Sequence, residues 1–181
     1  MTSHPYHHGD LRHAILAVAV ELIRVDGIGK LSLRELARRA GVSHAAPAHH
    51  FRDKTGLLTA IAAEGFETLA DALAAPVDPD ANILGELGVR YVRVALTHPA
   101  HFEVMWARAT LRWEDSALAA AAQRALGLLR SALDGAPDAE SQLQAAWSLA
   151  HGYAALCLGG NLAPGPDAAE AFRPIARQLF P

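Results

Sequence analysis

Residues 33–51 read LRELARRAGVSHAAPAHHF. The pattern is two short helices around a tight turn, with Ala37 small where the second helix must cross the first and Gly41 where the turn needs permissive dihedrals. Just upstream, Ser32-Leu33-Arg34-Glu35 is a capping box, in which the Ser and Glu side chains reciprocally satisfy free backbone donors at a helix start. Ser43, another N-cap type, starts the second helix, over residues 43–50. Pro47 falls early enough in that helix to be tolerated, at the expected loss of about one backbone bond. The spacing is that of a helix-turn-helix. An ordinary αα-corner uses the same turn chemistry, so these residues alone leave both a DNA-reading motif and a plain corner open.

Working outward, the apolar spacing is helical nearly everywhere and no segment alternates as a strand would. The chain reads as all-α, with about nine helices. Helix one starts near Asp10, presents Leu11, Ile15, Val18 and Leu22 on one face, and meets a left-handed stop at Gly27. Helix four starts at Asp53 and runs through Leu57, Leu58, Ile61, Phe66 and Leu69. Residues 75–80, with Pro76 and Pro79, break it and predict a boundary between a head, residues 1–75, and a body, residues 76–181. The body reads as helices at about 81–97, 99–110, 115–134, 138–159 and 167–180, with Pro174 kinking or splitting the last. In the segment 138–159, Leu143, Ala146, Trp147, Ala150, Tyr153, Ala154 and Cys157 leave little of the circumference polar. Such a helix must be buried on more than one side, and in so small a domain a partner subunit is the simplest second cover. The expectation is an isologous homodimer through the last two long helices.

A chain of 181 residues, 51% hydrophobic and 19% charged, is long and apolar enough to fold around a core. The net charge of −3 divides unevenly: residues 1–60 hold 8 Lys and Arg against 5 Asp and Glu, hence +3, which leaves −6 for the rest. A mildly basic head on an acidic body suits a protein that presents one end to a polyanion. The start MTSHPYHHGD lacks the layout of a signal peptide, and the longest stretch free of charge, Ser141 to Pro166, is punctuated by Gln142, Gln144, Ser148, His151 and Asn161. A cytoplasmic protein without membrane contact is expected. One cysteine, Cys157, excludes an intrachain disulfide. The histidine-rich start (His4, His7, His8 and His13) has no Cys or acidic cluster beside it, so it reads as a solvated arm or a minor-groove contact, and no metal or cofactor is expected.

The run HHGDLRHAILAVAVELIRVDGIGKLSLRELARRAGVS, continued by HFRDKTGLL, resembles the N-terminal domain of the TetR family over about fifty residues. Several motifs recur in order: helix one, a Gly-containing loop, Ser-Leu-Arg-Glu-Leu-Ala, Ala-Gly-Val-Ser, then His-Phe followed by Lys. Trp147 to Gly152, WSLAHG, is similar to the Trp-His-Gly signature of one type of TetR C-terminal domain, and His98 to Trp106, HPAHFEVMW, looks like its helix-six region. The resemblance implies that the second helix of the motif enters the major groove, with Ser43, His44, Ala45 and Ala46 near base edges or thymine methyls. Lys54 would pair with a phosphate at the start of helix four, and Ser32 and Arg34 are further phosphate contacts. One departure stands out: the family usually has Tyr where this chain has Ala48. His49 and His50 are candidate replacements that act best when protonated, although His50, beside Phe51, reads equally as a packed structural residue.

The resemblance further implies an effector pocket among helices five to eight, for which the sequence offers His101, Phe102, Met105, Trp106, Trp113, Trp147, His151, Tyr153 and Cys157. Plain core packing accounts for most of these, Trp147 included, whereas His101 and His151 are polar groups in apolar surroundings and need partners. Few charged groups lie nearby beyond Arg90, Arg93, Glu103, Arg108 and Arg112, so the effector is expected to be small and mainly apolar. The reading is a repressor that binds a palindromic double-stranded operator and is released from it by that effector. An enzyme using His151 or His101 as a base lacks any assembled nucleophile or carboxylate pair and is not expected. A dimeric binding protein that has lost DNA recognition is a third reading, to which Ala48 lends support.

Overall fold

The computed structural model describes residues 8–78 and 81–179; His4 and His7 of the histidine-rich start lie outside them. Among the described residues there are nine α-helices and no strand: α1 (His8–Lys30), α2 (Leu33–Ala40), α3 (Ala46–Phe51), α4 (Lys54–Ala74), α5 (Ile83–Thr97), α6 (Pro99–Trp106), α7 (Ser116–Ser131), α8 (Ala139–Leu158) and α9 (Arg173–Leu179). Short 3₁₀ turns at Arg108–Thr110 and Glu170–Phe172 follow α6 and precede α9. Pro174 is the second residue of α9, where a missing N–H costs nothing, so the last helical segment is split ahead of it as its sequence predicts.

Gly27 (φ 76°, ψ 164°) breaks α1, and a final turn continues to Lys30. The buried stripe of this helix is Ile15, Leu16, Ala19, Leu22 and Ile23, while Leu11 and Val18 are only half-buried. The core face is therefore rotated from the expected row, because Ala19, which weighs little in an apolar pattern, lies at its centre. Ser32 caps α2, its Oγ accepting from the Glu35 N–H at 3.2 Å. The reciprocal half of the capping box is not made: the Glu35 carboxylate accepts from Arg38 at 2.6 and 2.8 Å and from Arg39 at 2.9 Å. Those guanidiniums, Arg38 first, hold its carboxyl down to about 2. At the other end Gly41 (φ 66°) passes its N–H to Arg38 O and lets Val42 N–H reach Ala37 O, a Schellman ending.

Ser43 does not cap α3. Ala45 precedes its first residue without a side-chain cap, and Pro47 takes the second helical position. Proline fits only the first turn, so it pins the helix start close ahead of itself, and it forfeits no intrahelical bond because that N–H has no acceptor there. Asp53 caps α4, its Oδ1 accepting from Gly56 N–H at 2.9 Å while Leu57 N–H reaches its carbonyl at 3.0 Å.

By compactness the chain divides into two units, residues up to 64 together with 100–118, and residues 65–99 together with 119–181. The first is built on Ile15, Leu16, Ile23, Leu36, Leu57, Leu58, Ile61 and Val104, and the second on Leu69, Val89, Val92, Leu143, Tyr153 and Phe172. Residues 100–118, which contain most of α6, thus fold with the helix-turn-helix. In the second unit Gly88 lets Phe172 lie against α5, since a Cβ there would stand 2.5 Å from its ring. No helix among the described residues is long and apolar enough to cross a membrane.

Candidate nucleic-acid interface and sensor residues

α3 turns one face inward and one outward. Pro47 and Phe51 are buried, and the Arg12 guanidinium lies 5.2 Å over the Phe51 ring, which fixes the helix against α1. On the other side Ala48 and His49 are exposed and Ala46 is half-buried, and Ser43, His44 and Ala45 are exposed in the turn that leads into the helix. His50 is half-buried with its ring centroid 6.2 Å from that of Phe51 and 5.4 Å from that of His49, so it packs as well as facing out. Gly41 and the exposed Ser32 and Arg34 lie at the two ends of α2.

Lys54 is placed differently from its expected role. Its Nζ donates to Ile28 O at 2.8 Å and Gly29 O at 3.4 Å, which ties the start of α4 to the broken last turn of α1. Two of its three N–H donors are thereby spent inside the protein. The same turn is gripped from a second side, where the Ile28 N–H donates to Glu103 of α6 at 3.2 Å. Arg112 forms an ion pair with Asp53, and its backbone N–H donates to the Oγ1 of the buried Thr59 at 3.1 Å. The Gly56 N–H, and after it the Arg112 guanidinium, keep the Asp53 carboxyl below its ordinary range. Glu103, Arg112, Asp53 and Thr59 form a brace behind the helix-turn-helix that sequence reasoning did not assign. The signal available was Thr59, a lone hydroxyl in the buried row of Leu57, Leu58 and Ile61.

The expected effector residues fall into two groups. His101, Phe102, Met105, Trp106 and Trp113 belong to the first unit: Met105 is buried, Phe102 and Trp106 meet edge to face at 6.4 Å, Arg108 lies 4.6 Å over Trp113, and His101 Nε2 is 3.7 Å from Glu64. Trp147, His151, Tyr153 and Cys157 belong to the second. Tyr153 is a core residue, packed 5.2 Å from Phe172 with its hydroxyl donated to Ala168 O at 3.0 Å. Cys157 is half-buried.

Trp147 corrects the core-packing expectation, being 42% exposed. It flanks a small cavity of about 20 Å³ lined by Leu84, Leu87, Tyr91, Leu143 and Ala150, with its Nε1 donating to Tyr91 OH at 3.4 Å. Tyr91 also shares a hydrogen bond of 2.9 Å with His151 Nδ1, and burial lowers the His151 pKa from its ordinary 6.5. Tyr91, overlooked in the sequence, links the two. A wider open cleft of about 330 Å³ lies on α1 beside Val18, Leu22, Val25 and Arg39, and none of the expected effector residues lines it.

Such a head, two short helices about a left-handed glycine with one face bare, is that of a helix-turn-helix protein. The family described as bacterial regulatory proteins, tetR family, matches residues 15–61, and the tetracyclin repressor-like C-terminal domain matches residues 84–179. The HTH-type transcriptional regulator BetI of Cronobacter sakazakii (strain ATCC BAA-894) is 37% identical over 68 residues, 38% of this chain; the match spans about a third, 34%, of that protein's length. A protein of unknown function from Rhodococcus sp. RHA1 is 34% identical, with a TM-score of 0.81 over 98% of this chain and 97% of that one. The TetR family transcriptional regulator PfmR of Thermus thermophilus shares the fold at 24% identity, with a TM-score of 0.71 over 92% of this chain and 96% of that one. The chain belongs to the TetR family of bacterial regulatory proteins.

Proposed function

We propose that the protein is a ligand-responsive transcriptional repressor, a homodimer that binds a palindromic operator and leaves it when a small, mainly apolar effector binds. The observation that carries the reading is the bare surface at α3, where Ser43, His44 and Ala45 of the turn before it and Ala48 and His49 on the helix itself are exposed, and the helix is anchored by Pro47 and Phe51. In this reading Ser43, His44, Ala45 and Ala46 meet base edges, and Ser32, Arg34, His49 and His50 meet the backbone. Lys54 serves first to set the angle of α4 and offers phosphate only its remaining donor. Residues 1–75 act as the DNA-binding domain and residues 76–181 supply the effector and dimer surfaces.

An apolar effector is favoured because the nearby charges are already used. Arg90 donates to Ala72, Leu73, Ala75 and Pro76 carbonyls at the end of α4, Arg93 pairs with Glu170, Arg112 with Asp53, and Glu103 holds Ile28. A cavity of about 20 Å³ holds about one water, so an effector entering beside Trp147 and His151 must open it, and that opening supplies the differential affinity a switch requires. For the dimer, α8 exposes Ala145, Ser148, Ala155 and Leu156 at helical spacing, and Gly152 on the same stripe and Gly127 on α7 have open space where a Cβ would be. Leu126 of α7 and Leu158 of α8 are exposed as well.

The test is selection of a random duplex library by the purified protein, followed by fluorescence anisotropy on the enriched duplex and a scrambled one. Enrichment of a palindrome bound by two chains is the expected outcome. Equal, weak binding to every sequence, falling alike with salt, would reject the reading.

A further inference from the structure

Arg52 joins α3 to α4 with φ 71° and ψ −56°. Across it the Asp53 N–H donates to Phe51 O at 2.9 Å, closing a three-residue γ-turn of the positive-φ kind, which is rare and strained for a residue with a Cβ. Among the described residues only Arg52 and Asp138 have positive φ without being glycine. The turn itself has a structural purpose. It delivers Asp53 to cap α4 and presses the Phe51 carbonyl against Gly56, where a Cβ would collide with it. None of that needs a guanidinium, and glycine would adopt the same dihedrals without strain.

The side chain, unlike the turn, has no such structural purpose. It is exposed and makes no hydrogen bond or ion pair among the described residues; its charge helps to keep Asp53 ionised, but Arg112 is the residue that pairs with that carboxylate. Of the other cations around the motif, Arg34 on α2 is exposed as well, while Arg38 and Arg39 are committed to Glu35, Lys54 to the end of α1 and Arg12 to the Phe51 ring. Strain maintained at an exposed, uncommitted arginine, at the end of the helix whose bare face reads DNA, calls for a binding role.

We propose that Arg52 is a DNA-phosphate anchor at the C-terminal end of α3, holding the backbone where Ala48 cannot and where Lys54 is already engaged. The proposal rests on the reading of α3 as the DNA-contacting helix. A phosphate contact carries no sequence information, so it sets affinity and salt dependence and leaves the preference between sequences unchanged.

The experiment uses the full chain, a labelled duplex that the wild-type protein enriches from a random library, and a scrambled duplex of equal length, titrated between about 50 and 200 mM salt. Arg52→Ala is expected to weaken binding to both duplexes by about tenfold and to lower the slope of log affinity against log salt by about 0.9 per chain. Arg52→Lys keeps most of the slope. Arg52→Gly loses the same affinity while its thermal midpoint rises by a few degrees, a combination that a merely structural arginine does not give. If the wild type enriches a duplex and Arg52→Ala and Arg52→Gly bind it with unchanged affinity and slope, this inference is overturned and the regulator stands. If the wild type enriches no sequence, both are overturned.

Discussion

Position 56 shows how little room the head leaves around the junction of α3 and α4. A Cβ there would strike the Phe51 carbonyl and stand 2.9 Å from the Arg112 guanidinium, so Gly56→Ala has to displace backbone as well as a side chain. We expect it to cost roughly 2 to 3 kcal/mol, read as a lower midpoint in urea unfolding; an unchanged midpoint would show that the γ-turn yields freely. His151 makes a second residue-scale prediction. Its folded pKa lies below 6.5 through burial, so the unfolded chain takes up the proton first as pH falls. The fold therefore keeps its full stability above about pH 6.5 and loses some on acidification from there toward the folded value. His151→Gln, compared with the wild type in urea melts from pH 8 to pH 5, should lose less; parallel curves would refute this. The burial of His151 in an apolar segment is legible in the sequence, whereas its partner Tyr91, sixty residues upstream, is not.

At the scale of elements, local chemistry places helix ends and neighbouring side chains then amend them. The Ser32 cap and the Gly41 ending stand as their sequence predicts, because both are made within a few residues of backbone. Glu35 departs because Arg38 and Arg39, one turn on, offer its carboxylate charged donors in place of a backbone amide. Lys54 departs because two helices converge on it: carbonyls freed by the break at Gly27 need donors, and α4 starts beside them. Lys54→Met should accordingly lower stability by about 1 to 2 kcal/mol in thermal or urea melts. A lysine serving only phosphate would leave the melt unchanged and alter the salt dependence of DNA binding alone.

On the whole-molecule scale the exposed stripe of α8 is the surface proposed to meet a second copy of the chain. Leu156, the large apolar residue at its C-terminal end, is 45% exposed. Leu156→Glu is expected to convert a two-chain particle into a single chain by light scattering, and to weaken binding to the enriched palindrome by about a hundredfold or more, since two linked heads bind far more tightly than one. A variant that still weighs two chains would place the dimer surface elsewhere. The segregation of residues 100–118 with the head is likewise a whole-molecule property, fixed by Glu103 on Ile28 and by Arg112 on Asp53 and Thr59.

The sequence by itself determined the helical class, the helix-turn-helix, the break after α4 and the family, because helical periodicity, caps and left-handed glycines act over three or four residues and are written where they act. The tertiary structure alone decided which charges are committed and which remain available. Glu103, Arg112, Lys54 and Arg90 are spent on carbonyls, amides and carboxylates between 14 and 75 residues away, and separations of that kind leave no mark in local spacing. It also decided the dihedrals of Arg52, since a γ-turn that glycine would adopt freely is imposed there by the packing of Phe51 and the capping of α4.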